Sequence, residues 1–407
     1  MAIEFVGWDL NVAMQQYGDK WREHRRIVHQ QFHIGSLAKY HTVLSDESRK
    51  LLRRLLQTPE RFIEHTKHLA ASVIFKVTFG FETQENNDPW IATADEAMKT
   101  FDEVGIVGTY LVDLFPFLRY LPEWAPGSQF KQDAKRMKGS VVSMFREPMK
   151  RIQEDIAKGA AKPSIMASLL TELDDSEEST RRKLVIQSAI GTSYAAGTDT
   201  TDGALTTFIL AMVLYPEVQK KAQAEIDRVI GRDRLPEFAD RDSLPYITAI
   251  TKETLRWHPP LPLGVPHRLM KDDVYNGYQL PAGSIVICNT AAMTRDHTEF
   301  PNAHIFDPTR FLTKDGSLND NASKCWEFSF GAGRRICPGR HFALDTMWIA
   351  ISAMLATFTM EKSLDKYGDV IEPKEDYSVG TICRVLPFKA DIKPRSAAAQ
   401  ALVEALM

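Results

Sequence analysis

Cysteine is scarce in this 407-residue chain. Its four cysteines, Cys288, Cys325, Cys337 and Cys383, lie far apart with no paired spacing, which argues against a C-x-x-C zinc site or a secreted disulfide framework. Unpaired thiols fit a reducing compartment, where a special cysteine is a ligand or nucleophile and not a staple. The chain also lacks an excess of either charge. Its 50 Lys and Arg against 53 Asp and Glu leave a net charge of -3, which argues against a broad phosphate-binding surface. The first 18 residues have no basic start and no long apolar run, so they do not read as a signal peptide. The longest apolar stretches, residues 204–215 and 347–358, fall short of the about 20 residues a bilayer span needs. As given, the chain reads as soluble.

What is present is ample apolar content, 44% of the residues. At about 150 residues per domain the length suggests two or three domains, with one large mixed domain as the alternative. The first two-thirds read as successive helices: residues 20–32, a stretch through 51–56, and 129–157. Residues 109–126 (TYLVDLFPFLRYLPEWAP) read as a loop-rich apolar surface. The charge run 172–178 reads as a solvated loop or the start of a helix. Residues 181–214 contain no proline and predict one helix of roughly 50 Å, with Pro216 opening the next. After Pro259 the texture changes. Residues 274–289 carry Asn-Gly and Ala-Gly turns between β-branched runs, a small-sheet pattern, and 301–326 look irregular. Residues 338–358 read as a helix, and 377–393 alternate like short strands. The fold class is mainly α with small β-sheets.

The segment 328–339, F-S-F-G-A-G-R-R-I-C-P-G, carries the chemistry. Glycines let the backbone turn sharply and approach a flat ligand, and Pro338 suits a helix first turn. Cys337 is thus expected at a helix N-terminus, where the macrodipole lowers a thiol pKa. Two plainer readings stand beside this one: a buried structural cysteine, or a Cys337/His341 hydrolase pair one helical turn apart. Phe330, Gly333, Arg335, Cys337 and Gly339 fit F-x-x-G-x-R-x-C-x-G, the haem-thiolate loop of the cytochromes P-450, which the chain therefore resembles. From average residue usage, five fixed positions coincide by chance on the order of once per ten million starts. In that family thiolate donation to haem iron favours O–O cleavage.

Three further segments resemble the family in the family's order. Ala196-Gly197-Thr198-Asp199-Thr200-Thr201 matches A-G-x-[DE]-T-[TS]. Missing side-chain bulk at Ala196 and Gly197 would leave room for a diatomic ligand, and a threonine hydroxyl can bond back to the i−4 carbonyl. The resemblance makes Thr200 a hydrogen-bond donor at the oxygen site and Asp199 its proton relay; the plain reading is small residues easing helix packing. Glu253 and Arg256 form an E-x-x-R pair, by itself an ordinary surface pair. With Arg310 of F-D-P-T-R-F the resemblance makes it a buried structural cluster. Trp21 and Arg25 fit W-x-x-x-R, and with His267 and Arg335 they are the implied haem-propionate partners. Arg22 and Arg26 read as solvent-facing.

The resemblance runs from about residue 18 to 395 and is nearest to fungal microsomal members of the O-methylsterigmatocystin oxidoreductase-like type. It implies a single haem-binding catalytic domain over 1–407, N-terminally truncated, without the anchor and the first strands. Those strands would pair around residues 274–288, so sheet edges and apolar surface are expected uncovered there. It further implies haem b between the Thr200 helix and the Cys337 loop, O2, a small apolar substrate from secondary metabolism or a xenobiotic, and NADPH electrons delivered by a cytochrome P-450 reductase. Lys20, Arg22, Arg26, Arg334 and Arg340 are candidates for the reductase patch, or plain solvated charge. Full-length relatives belong on the cytosolic face of the endoplasmic reticulum. Substrate choice would lie in residues 110–130 and near Thr381. A haem-thiolate isomerase or dehydratase, or a non-catalytic haem-binding remnant, is the alternative.

Overall fold

The computed structural model describes residues 1–106 and 108–406. The chain divides into two compact units, each assembled from separate segments. The first comprises Met1–Asp202, Pro338–Ala353 and Val403–Met407; the second comprises Gly203–Cys337 and Met354–Leu402.

The first unit is helical. α1 (Asp19–Phe32) buries Trp21, His24, Ile27, Val28 and Phe32, a stripe at helical spacing. α2 (His41–Gln57) buries Leu44, Leu51, Leu52 and Leu55 against α3 (Phe62–Phe79). From His65 onward α3 is buried almost all round, as suits a core helix. α4 (Pro89–Val104) opens with Asp88 accepting from the Trp90 and Ile91 amides, so an N-cap and an N1 proline fix its start. A short α5 (Leu111–Leu114) and one 3-10 turn, Pro116–Tyr120, occupy the segment expected to be loop-rich. That segment exposes Leu111, Phe117, Tyr120 and Trp124.

α6 (Gln129–Ala157) has the expected bounds and packs on α4. α7 (Ile165–Thr171) is capped by Ser164. α8 (Glu177–Leu214) is one 38-residue helix. It begins four residues earlier than expected, at Glu177, so the last two residues of the charge run open the helix. The Ser176 hydroxyl accepts from the Ser179 amide, and Asp174 accepts from the Ser176 amide and from both serine hydroxyls. These bonds hold the Asp174 carboxyl at about 2.

The second unit takes the end of α8, then α9 (Pro216–Val229) opening on its proline, and α10 (Pro245–Trp257). β1 (His267–Arg268) pairs with β4 (Ile285–Val286), and β2 (Asp273–Tyr275) with β3 (Tyr278–Leu280), both antiparallel. Asn276 (φ 47°) and Gly277 (φ 82°) form the two-residue hairpin turn that an Asn-Gly pair favours. Val274, Tyr275, Tyr278, Ile285, Val286 and Ile287 are exposed on and beside these strands. α11 (Thr290–Thr294) precedes the irregular stretch, and α12 (Arg340–Thr357) follows the cysteine loop. β5 (Phe358–Lys362) pairs with β6 (Ala390–Pro394), and α13 (Ala397–Glu404) ends the helices. Of the alternating tail, residues 377–389 form no strand beyond a bridge between Tyr377 and Val385. Among the described residues no helix is long and apolar enough to cross a membrane.

Candidate active site

The cysteine loop is built by backbone turns. Gly331 donates to the Phe328 carbonyl at 2.9 Å, Ile336 to Gly333 at 3.2 Å, and Cys337 back to Phe330 at 2.7 Å, closing the loop on its own start. Gly331 and Gly333 have φ values of 74° and 62°, and a Cβ at either would meet nothing within 4 Å. Backbone angle, and not space, is therefore what demands glycine there. Cys337 is half-buried and in no disulfide; Phe330 and Arg335 are half-buried and Arg334 is exposed. Pro338 is not in the first turn of α12: Pro338 and Gly339 form a turn, and the helix begins at Arg340. The Gly339 carbonyl accepts the Ala343 amide at 2.9 Å, so the glycine closes the turn and leads into the helix.

The Glu253 cluster is assembled within the second unit. Arg256 donates to both Glu253 oxygens at 2.6 and 2.7 Å, and both side chains are fully buried. The remaining Arg256 donors reach the Thr294, Ala303 and Ile305 carbonyls at 3.0, 2.8 and 3.2 Å. Arg310 brings its Nε to 3.5 Å from Glu253 and donates to the Pro301 and Asn302 carbonyls. The Asp307 amide adds a bond to the carboxylate at 2.8 Å. Burial raises the Glu253 carboxyl above its ordinary value, while Arg256, the Asp307 amide and Arg310 oppose that rise. Because guanidinium donors saturate loop carbonyls as well as the carboxylate, the cluster fixes an irregular segment that has almost no strand or helix of its own.

In α8 the Thr200 hydroxyl donates to the Ala196 carbonyl at 2.7 Å, the i−4 bond that the motif suggests. Ala196 is exposed, Gly197 half-buried, and Asp199 only 2% exposed. The space a Cβ would take at Gly197 adjoins Ile74 of α3, at 3.2 Å, so this glycine also serves helix packing. A second glycine of α8, Gly191, belongs to no sequence motif. A Cβ there would overlap the Phe145 ring of α6, which is itself 1% exposed. Its one sequence signal is a mid-helix glycine, which costs about 1 kcal/mol against alanine and so needs a compensating contact.

In α1, Trp21 is 5% exposed and lies 5.1 Å from the Tyr17 ring, with Arg25 half-buried one turn on. Lys20, Arg22 and Arg26 face solvent. His24, on the same helix, is buried, and desolvation lowers its pKa. His267 is exposed in β1 opposite Val286.

Comparison with known proteins identifies the family. The family model described as Cytochrome P-450 matches residues 8–381. A cytochrome P-450 monooxygenase of Armillaria gallica is 40% identical over 407 residues, covering 99% of this chain and 79% of its own length. One from Rhodocybe pseudopiperita is 38% identical, covering 100% and 77%. The tryptamine 4-monooxygenase of Psilocybe cyanescens is 36% identical, covering 97% and 78%. The family match and these relatives thus define a haem-dependent monooxygenase like those of fungi. The chain belongs to the cytochrome P-450 family. The donor set fits haem: Cys337 offers a soft thiol outside any disulfide on a backbone-locked loop, and Arg335 lies two residues away.

Proposed function

We propose that this chain works as one catalytic domain that inserts one oxygen atom of O2 into an apolar organic substrate. The other oxygen atom leaves as water, with two electrons from NADPH passed through a reductase and two protons from solvent. The Cys337 loop carries this reading. Haem b is the assigned cofactor, and when bound it supplies the dioxygen activation. Cys337 ligates the iron; Phe330 and Gly339 shape the loop around it. Trp21, Arg25, His267 and Arg335 hold the propionates by charge-assisted and N–H bonds. Ala196 leaves room at the oxygen side, while at Gly197 the space a side chain would take adjoins Ile74. Thr200 shares its proton with the Ala196 carbonyl at rest, so donation to a ligand means releasing that bond. Asp199, held on the same helix one residue before, passes protons towards it. Glu253, Arg256 and Arg310 are structural.

The exposed apolar side chains of residues 110–130 suit an apolar substrate, and with the tail near Thr381 they are assigned to its selection. The substrate class is a secondary metabolite or xenobiotic. The Psilocybe relative is named for tryptamine, which makes indole amines worth including in a substrate panel. Lys20, Arg22, Arg26, Arg334 and Arg340 are offered as reductase contacts, and the whole protein is assigned to the cytosolic face of the endoplasmic reticulum.

The deciding experiment follows NADPH and O2 consumption by the haem-loaded chain with added reductase over that panel. Sustained product formation with oxygen from O2 supports the reading. Turnover without reductase or O2 would favour an isomerase or dehydratase, and haem binding without any turnover a remnant.

A further inference from the structure

We infer that His258 is a positioning residue: its ring sets the hairpin of residues 376–386, and through that hairpin the part of the substrate space the hairpin borders. This rests on the monooxygenase reading for its second half only. α10 ends at Trp257, which is 1% exposed and anchored by its indole N–H to the His304 carbonyl at 2.9 Å. The next residue, His258, is held by its amide to Thr254 at 3.3 Å. Its imidazole stacks on the phenol of Tyr377, with ring centroids 3.3 Å apart and planes 10° from parallel. Tyr377 opens the hairpin. The Leu386 amide donates to Asp376 and the Ser378 amide to Arg384, each at 2.8 Å, and the Ser378 hydroxyl accepts from the Arg384 amide at 3.0 Å.

A second tie comes from the same exit of α10, because the Cys383 amide donates to the Pro260 carbonyl at 2.8 Å. On its other side the hairpin meets α8. A Cβ on Gly203 would lie 3.6 Å from the Cys383 carbonyl oxygen and 3.9 Å from Arg384 Cγ. Gly203 is three residues beyond Thr200, and residues at that spacing share a helix face. The ring stack, the Cys383–Pro260 bond and the close approach to Gly203 all hold the hairpin, and the stack is the tie that substituting His258 removes. The hairpin tip carries Val379, 96% exposed, and Thr381. Flat stacking also suits an uncharged ring, and burial keeps His258 neutral.

The test compares the haem-loaded chain with His258→Ala and His258→Phe; His258→Leu replaces the alanine variant if that does not accumulate. Amide hydrogen exchange at Ser378, Cys383, Arg384 and Leu386 should quicken by about tenfold in the alanine variant and return in the phenylalanine variant, which keeps the stack. Dissociation constants for imidazole and 4-phenylimidazole, read from the haem spectrum, provide the second measurement. His258→Ala should weaken 4-phenylimidazole alone, since only its phenyl arm extends into the substrate space, and His258→Phe should restore it. Unchanged hairpin exchange in His258→Ala, no rescue by phenylalanine, or equal shifts for both azoles overturns the inference. If neither azole perturbs the spectrum of the unsubstituted chain, the haem reading fails, and the exchange rates alone then decide the positioning role.

Discussion

The Ser329 hydroxyl donates to the Leu255 carbonyl at 3.0 Å, tying the cysteine loop to the helix that carries Glu253 and Arg256. Stability of the cluster and shape of the loop are thereby linked. Removing one partner of a buried, hydrogen-bonded ion pair costs about 3–5 kcal/mol, out of a typical ~5–15 kcal/mol for a domain. Glu253→Ala or Arg256→Ala should therefore abolish soluble, haem-loaded protein, whereas Glu177→Ala at the start of α8 should not. Ser329→Ala should cost only about 1 kcal/mol, the worth of one ordinary hydrogen bond. Haem content per folded chain and thermal unfolding check all four variants. Normal haem loading in Glu253→Ala would show that the cluster is dispensable.

The thiolate assignment makes a spectroscopic prediction. The reduced carbon-monoxide complex should show the red-shifted band of thiolate-ligated haem. Cys337→Ala should lose that band and Cys337→His should move it to shorter wavelength. Persistence of the band in Cys337→Ala would place the ligand elsewhere.

At Thr200 the expected effect is on coupling and not on binding. Thr200→Ala removes the hydroxyl now bonded to Ala196 and should divert NADPH electrons into hydrogen peroxide while haem and substrate still bind. Asp199→Asn should slow turnover in the same direction. Peroxide yield per NADPH is the measurement, and equal yields in wild type and both variants would remove the relay.

Much of this was legible in the sequence where a local rule decides the structure. α6 ends where its charged apolar pattern ends, Pro216 opens α9, and Asn276-Gly277 makes the β2–β3 turn because only such residues take those angles readily. The cysteine loop was legible because its glycines answer to backbone angle, which neighbours in sequence impose. Contacts between distant segments were not. Gly191 packs against a ring on α6, and His258 stacks on one in the hairpin after residue 376. Neither leaves a periodic trace. The start of α12 is not legible, because proline suits both a first helical turn and the turn before it.

Gly191 and Phe145 supply a packing prediction. An alanine at 191 forces its methyl group into a buried aromatic ring that has little room to move. Overpacking of this kind costs about 1–3 kcal/mol, while alanine otherwise favours a helix over glycine by about 1 kcal/mol. The clash should win, so Gly191→Ala lowers the melting temperature. Phe145→Leu, costly alone, should cost less beside Gly191→Ala because it vacates the space. A double-mutant cycle measures that coupling, and strict additivity would show that the two residues do not meet.

The last prediction concerns acid. Burial, reinforced by the Arg295 charge, lowers the His258 pKa from 6.5 to about 3. In the unfolded chain the imidazole takes up a proton near its ordinary value; in the folded chain it does not until far lower pH. The unfolded state then binds more protons throughout the interval between the two values, so stability falls as pH drops from 6.5 towards about 3. Above that interval both states are neutral and His258 contributes no slope. The steepest loss from this one group is about 1.4 kcal/mol per pH unit. His24, His65 and His68 are also lowered by burial and act with the same sign, so the raw acid limb belongs to no single residue. The difference between wild type and His258→Phe isolates one proton. Denaturant unfolding at pH 7 should find the two chains close, and at pH 5 the phenylalanine chain should be the more stable by about 1–2 kcal/mol. Parallel stability curves from pH 7 to 5 would mean that His258 titrates alike in both states, and that its ring is not buried against Tyr377 in solution.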